Sequence, residues 1–362
     1  MAIPLFDTET PLAPLRPRIV EKVTEVINAG RYVLGPEVRA FEAEFAAYLG
    51  VAHVVGVANG TDALQIGLRA LGVAPGDDVV VPSLTFYATA EAVAAIGARP
   101  VFCDVDPDTR NLTVETVRAA LTPATKAIVA VDLFGVPAPC ADLRAEIGLP
   151  VLEDAAQAAG SRLGDRMAGS LGDAATFSFY PSKNLPCFGD GGVVATDDDE
   201  VAALARALRF HGSRDKETFQ YVGYNSRLDE VQAAILRILL PELDGWADGR
   251  RAAARAYLEA GIAEHVAVAT PPEGADPAWH LYVVTHPRAD ETLQVLGALG
   301  IQARGYYRTP LHRQPAMAPF VNAHPADLPV TDRLGATNIA LPISPVLGPE
   351  QAAEVVAALA DA

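Results

Sequence analysis

Short runs of unbroken apolar residues alternate with amphipathic stretches over the first two-thirds of this chain, and few folds accommodate that rhythm. Arg16 to Asn28 and Glu37 to Leu49 carry apolar residues three and four apart, which predicts helices. Ala52 to Ala58 is an apolar run that stops at Asn59-Gly60, and a helical pattern follows from Thr61 to Leu71. Val79 to Val81 reads as a strand ending at Pro82, Ala88 to Ile96 as helix, Arg99 to Asp104 as strand and Thr113 to Leu121 as helix. Ala127 to Val131 and Pro150 to Leu152 are further strands around a helix at Ala141 to Ile147. A strand that stays apolar at successive positions is buried on both faces. The pattern therefore predicts an α/β fold with a mostly parallel sheet covered by helices.

After Glu153 the pattern loosens. Arg162 to Ser170 reads as a glycine-bearing hairpin, and Ala174 to Tyr180 and Gly192 to Thr196 as strands flanking a polar, glycine-rich loop. Asp198 to Phe210, Leu228 to Leu239 and Asp248 to Ala260 read as helices, with Pro241 ending or kinking the second. A smaller α+β unit is expected beyond, with a strand at Leu281 to Thr285 and helices near Glu291 to Leu299 and Pro349 to Ala360. A chain of 362 residues exceeds one small module. The expected division is a large domain with an N-terminal arm over 1–245 and a small C-terminal domain over 246–362.

Acids outnumber bases 45 to 28, for a net charge of −17. That argues against a nucleic-acid binder or a basic membrane-surface protein. An anionic small substrate would need local arginines set against the global field. No run approaches a membrane span. The start of the chain has no basic segment of the kind that opens a signal peptide, and the three cysteines form neither a disulfide framework nor a metal pattern. These features predict a cytoplasmic protein. The histidines are scattered, so no metal site is expected.

Only Lys22, Lys126, Lys183 and Lys216 are lysines. Lys183 differs from the rest: it lies in Phe177-Ser-Phe-Tyr-Pro-Ser-Lys-Asn184, past a strand and before Gly189-Asp-Gly-Gly192. An amine held among aromatic residues at a strand exit can lose its charge by desolvation, as an aldehyde-capturing lysine requires. Taken alone it also reads as a surface loop lysine. Asp154 and Gln157, in Glu153-Asp-Ala-Ala-Gln157, follow a buried strand, where side chains face the crevice that binds ligands. The same acids also suit a helix cap. Asn59-Gly60-Thr61-Asp62 offers amides and a hydroxyl at a helix start, an anion site or a plain cap. Phe86, in Pro82-Ser-Leu-Thr-Phe86, could stack on a flat ring or belong to the core. All four segments are exits of one sheet. Together they offer a phosphate cradle, a stacking ring, an acid for a ring nitrogen and an amine for an aldehyde, which is the equipment of pyridoxal 5′-phosphate (PLP) chemistry.

These segments, with Arg31-Tyr-Val-Leu-Gly-Pro-Glu-Val38, Gly169-Ser-Leu-Gly-Asp173, the Gly223–Ala233 stretch and Pro310-Leu-His-Arg-Gln-Pro315, resemble the DegT/DnrJ/EryC1/StrS family of PLP-dependent nucleotide-sugar aminotransferases. The resemblance covers nearly the whole chain. It implies the type I PLP-dependent aminotransferase fold: a large domain with a mostly parallel sheet covered by helices, plus a smaller C-terminal α+β domain. It implies that Lys183 holds the cofactor and shuttles the proton, that Asp154 pairs with the pyridine nitrogen, and that Gln157 contacts the ring oxygen. Gly60, Thr61 and Ser178 would bind the phosphate, Phe86 would stack on the ring, and Asn225 would reach in from the partner of a homodimer with shared active sites. L-glutamate is the implied amino donor. The implied acceptor is a 3- or 4-keto-deoxy sugar, dTDP-linked, in the biosynthesis of amino sugars, including those of secondary metabolites.

The chain departs from the family pattern at Ser182, at Pro186-Cys187-Phe188, at Ala159 and at Tyr306-Tyr307-Arg308. These departures put the position of amination in question rather than cofactor use. Tyr306, Tyr307, Arg308 and His312 are candidate substrate contacts. Arg304, Arg308 and Arg313 are candidates for the diphosphate or, equally, members of a solvated face. Amination of a cyclitol ketone and a catalytically silent binding or regulatory protein on the same fold stay open as alternatives.

Overall fold

The computed structural model describes residues 2–324 and 327–361. In chain order the first strands are β1 (His53–Val57), β2 (Asp78–Pro82), β3 (Arg99–Cys103), β4 (Thr125–Val131) and β5 (Val151–Asp154). Then come β6 (Arg162–Leu163), β7 (Arg166–Met167), β8 (Ala174–Ser178), β9 (Gly192–Thr196), β10 (Ala267–Val268), β11 (Ala275–Asp276), β12 (Tyr282–Thr285) and β13 (Asn338–Leu341). Seven of these strands form the central sheet, in the order β1-β9-β8-β5-β4-β2-β3. All its pairings are parallel except those of β9, which runs against both β1 and β8. β2, β5, β8 and β9 are buried almost throughout. Helices cover the sheet, among them Gly60–Ala70, which lays Ala63, Leu64, Ile66 and Leu68 inward.

The reversed β9 has a physical consequence. A parallel neighbour needs a crossover helix, whereas an antiparallel one can follow a loop. The loop 179–191 therefore stays at the carboxyl edge of β8, and Lys183 arrives at the same edge as the exits of β1, β2 and β5.

A second sheet, β10-β12-β13, carries the helices Leu243–Glu259, Ala289–Ala298 and Pro349–Ala360 around a core containing Tyr257, Val284, Leu296, Ile339, Val355 and Leu359. Each large apolar side chain buried there contributes about 1.5–3 kcal/mol. The N-terminal arm joins this unit. Ile3 forms a parallel bridge with Ile301, and Leu5 N donates to Gln302 Oε1 at 3.2 Å.

Pro241 kinks rather than ends its helix. A 3-10 turn, Leu240–Glu242, leads straight into Leu243–Glu259, so the third helix begins at Leu243 and not Asp248, and residue 245 lies within it. Proline is tolerated there because the first turn of a helix has no use for its N–H. The Glu230–Leu239 helix buries Ala233, Ile235, Leu236 and Leu239 inside the chain, which makes it a core helix. β13 and the helices Ala318–Ala323 and Pro329–Thr337 have no counterpart among the sequence expectations.

Candidate active site

The strand exits open into a cavity of ≈ 670 Å³. At the β1 exit, Asn59 caps the helix Gly60–Ala70 by accepting from Asp62 N at 2.8 Å. The first amides of a helix have no partner within it, so those of Gly60 and Thr61 are available to an anion. Close packing makes this a cradle. A Cβ on Gly60 would stand 2.7 Å from Ser178 Cβ, and one on Gly192 would stand 2.5 Å from the carbonyl carbon of Asn59. Glycine at both positions lets the helix start, β8 and β9 meet, and brings the Thr61 and Ser178 hydroxyls to the same wall.

Asp154 ends β5 and is buried. Its Oδ2 accepts from Thr89 Oγ1 at 2.9 Å and its Oδ1 from Ala156 N at 3.2 Å. Burial pushes its carboxyl above the usual range, and the hydrogen bonds from Thr89 and Ala156 and the Lys183 charge oppose that. Lys183 is held by its loop: Lys183 N donates to Tyr180 O at 2.8 Å, and Asn184 Nδ2 donates to Ala278 O at 3.0 Å. Loss of water lowers the Lys183 amine to about 8, against the pull of Asp154. From 10.5 to about 8 the neutral fraction at pH 7 rises a few hundred-fold, roughly, which equips the amine to attack an aldehyde.

Gln157 Oε1 accepts from Phe134 N at 2.9 Å, and its Nε2 donates to Tyr307 Oη at 3.3 Å. The amide thus turns its N–H donors toward the cavity, as a ligand oxygen would require. Phe86 leaves 54 % of its surface uncovered on the cavity wall. Its ring is 5.9 Å from that of Tyr307. An amide cradle with two hydroxyls, an acid, a depressed amine and an uncovered aromatic ring together fit the phosphate, ring nitrogen, aldehyde and ring face of PLP.

Not every candidate reaches this cavity. Tyr306 and Tyr307 line it, but Arg308 and His312 do not. Arg308 turns to Asp290 at 3.0 Å and donates to Ala336 O at 2.5 Å. His312 follows Pro310 into a 3-10 turn that packs under β2: its Nδ1 lies 2.7 Å from Ser83 Oγ, and its Nε2 lies 3.2 Å from Asp332. It positions the loop before Phe86 rather than meeting a ligand of this cavity. Arg304 is exposed and lies over the Tyr306 ring, and exposed Arg313 pairs with Asp332 at 2.5 Å. None of the three arginines lines the wall. Asn225 is exposed, bridged to Phe210, and outside its own chain's cavity.

Sequence reasoning missed Thr89, Phe6, Tyr180 and His280, all of which line the cavity. Thr89 lies three residues past Phe86 in the following helix, so helical spacing after the β2 exit was a usable signal. Phe6 and His280 arrive from the arm and from the residues before β12, and no local pattern marks them.

The sequence profile of the DegT/DnrJ/EryC1/StrS aminotransferase family matches residues 14–360. The chain is 44% identical to the dTDP-3-amino-3,4,6-trideoxy-alpha-D-glucose transaminase of Streptomyces venezuelae, covering 99% of this chain and 95% of that one. It is 43% identical to the UDP-N-acetyl-3-dehydro-alpha-D-glucosamine 3-aminotransferase of Acidithiobacillus ferrooxidans, covering 98% and 96%. The crystal structure of S. venezuelae DesV in complex with a ketimine intermediate superposes with a TM-score of 0.94 at 43% identity, over 99% of this chain and 98% of that one. Among the described residues no helix is long and apolar enough to cross a membrane.

Proposed function

Since the chain belongs to the DegT/DnrJ/EryC1/StrS aminotransferase family and is a PLP-dependent sugar aminotransferase, we propose that it moves an amino group from L-glutamate to a keto-deoxy sugar carried on a nucleoside diphosphate. The observation that carries this is the meeting of Lys183 and Asp154 in one cavity beside the Gly60–Ser178 cradle. The names of both relatives place the amino group at carbon 3, and this favours a 3-keto acceptor over a 4-keto one. The two relatives use different nucleotides; dTDP is the first candidate here and UDP the second.

When bound, PLP supplies the electron sink that lets the amino-bearing carbon lose its proton. The chain's own residues do the rest. The Gly60 and Thr61 amides with the Thr61 and Ser178 hydroxyls bind the phosphate. Asp154, oriented by Thr89 and Ala156 N, holds a positive charge at the ring nitrogen. Gln157 donates to the ring oxygen, and Phe86 covers the ring face. The Lys183 amine carries the proton between the two carbons that flank the transferred nitrogen, a task suited to a value near neutrality. Glutamate and the keto-sugar bind in turn at this cavity.

Asn225 serves the active site of a second copy. Its loop exposes Phe219, Tyr221 and Val222, and Tyr32, Val33 and Phe188 are exposed as well, apolar surface that a homodimer would cover. The proposed division into a large domain over 1–245 and a small one over 246–362 comes near the start of the helix Leu243–Glu259.

The test is a single-turnover absorbance experiment. Glutamate should bleach the visible absorbance of the holoenzyme. A dTDP- or UDP-linked 3-keto sugar should restore it faster than the 4-keto isomers. Restoration by cyclitol ketones alone would overturn the sugar assignment, and no response to any amino donor would mark a silent protein.

A further inference from the structure

Among the described residues, one buried polar group in the cavity wall has no hydrogen-bond partner. His280 is 5 % exposed, and its Nδ1 meets no hydrogen-bonding atom. The residue lines the cavity beside Leu281, and the Phe6 ring stacks on it at 5.9 Å and 27°. Burial, and then the charges of Lys183 and Arg250, hold the imidazole well below its usual value. Arg250 is itself turned away, donating to the carbonyls of Trp279 and Ile343.

The segment is held rigidly against the cavity floor. Ala278 N donates to Ser161 Oγ at 2.9 Å, and Ser161 Oγ donates to Gly135 O at 2.7 Å. Asn184, next to Lys183, donates to Ala278 O. Gly135, at φ +96°, leaves room only for a hydrogen, since a Cβ there would lie 3.0 Å from the His280 amide nitrogen. His280 is therefore placed by the same loops that place Lys183 and Gln157.

A neutral imidazole has one N–H. An orphaned N–H is rarer than an orphaned acceptor, so the proton belongs on Nε2 and the bare lone pair on Nδ1. The cavity thus has a wall made of a neutral donor and an aromatic ring, with no arginine of the 304–313 segment facing it. A carboxylate or diphosphate seeks a cation. A pyranose presents hydroxyls and an apolar C–H face, and suits an aromatic surface with a few placed polar groups.

We propose that His280 and Phe6 are specificity-determining residues that recognise the keto-sugar: His280 Nε2–H donates to a sugar oxygen beside the reacting carbon, and Phe6 covers the sugar's apolar face. The inference rests on the aminotransferase reading and names the groups that select its acceptor. The test compares the two half-reactions by single-turnover absorbance in the wild type, His280→Phe, His280→Asn and Phe6→Ala holoenzymes. His280→Phe should slow or weaken the keto-sugar half-reaction at least tenfold more than the glutamate half-reaction. His280→Asn, which keeps a donor, should recover part of that loss, and Phe6→Ala should show the same selective loss to a smaller degree. Equal losses in both halves, or none, overturn the proposal. A second readout needs no variant: in the ¹⁵N spectrum of the histidines, the nucleotide amino-sugar product should shift the His280 Nε2 signal and glutamate should not. An unmoved signal overturns the proposal. A wild-type enzyme that accepts glutamate yet regains absorbance with no keto-sugar overturns the function and this inference together. Normal turnover with an unselective His280→Phe overturns this inference alone.

Discussion

Glu153 and Asp154 are neighbours in β5, both buried and both pushed above the usual carboxylate range by loss of water, yet their surroundings differ in kind. Successive strand residues point to opposite faces. Glu153 points to a sealed side, where Gly169 N donates at 2.5 Å, Leu171 N at 2.8 Å and Gly172 N at 3.1 Å. Its neighbour is Asp132, whose Oδ1 accepts from Ala138 N and whose Oδ2 meets no donor among the described residues. Burial, then the Glu153 charge, raises Asp132 well above its usual value, while three backbone N–H groups favour the charge on Glu153. Asp154 points to the cavity, accepts two hydrogen bonds from the described residues and faces a cation. Burial and an upward shift are common to both carboxylates. What separates the two settings is hydrogen-bonding capacity left unused beside empty volume.

The contrast can be broken at several points. The largest effect is expected at Lys183. Lys183→Ala should reduce turnover on the order of 10⁴-fold or more. Borohydride treatment of its cofactor-saturated form should fix no pyridoxyl group on the 177–184 peptide, whereas the wild type should be labelled there. Next, Asp154→Asn should lower kcat on the order of 10²–10³-fold while cofactor binding, followed by equilibrium dialysis, changes far less.

The sealed pair should respond in stability instead. Glu153→Ala leaves three buried N–H groups without an acceptor and should cost about 3–5 kcal/mol in urea unfolding, with activity per folded molecule retained. Asp132→Asn keeps a donor toward Glu153 and should stay within about 1 kcal/mol of wild type. A Glu153→Ala enzyme that folds normally but loses turnover would reverse the assignment of the two acids.

The smallest effect is one of pH. The neutral amine is the form that attacks an aldehyde, and the folded-state value of Lys183 is lowered, so more of it is neutral near pH 7 than of a free lysine. The rate at which apoenzyme captures PLP should climb as pH rises toward about 8 and level off above it. A climb that continued toward 10.5 would show a solvated lysine.

The sheet was legible because its strands are short, apolar and local. Val79 to Val81 and Ala127 to Val131 carry their burial in consecutive residues, and both recur in β2 and β4. β13 was not legible: Asn338–Leu341 is a strand through its pairing with Tyr282–Thr285, more than fifty residues earlier. Lys183, Asp154, Gly60 and Phe86 line one cavity, and that meeting was legible because each follows a strand, and strand exits of a parallel sheet share one edge. Arg308 and His312 lie away from the cavity wall, a direction that charge and spacing do not show. Asp290 and Ser83, remote in sequence, turn them aside.

From the order of residues alone came the layered α/β architecture, the scarce desolvated lysine and the glycine-marked helix start, since period, desolvating neighbours and turn chemistry act over a few residues. The packing of the arm and the second sheet against the strand edge settled which groups surround the reacting atoms. Phe6 meets His280 across more than 270 residues, and Ser161, Gly135 and Asn184 hold that wall in place. Such contacts depend on how preformed elements dock, and docking is governed by shape and burial over distances that no local periodicity encodes.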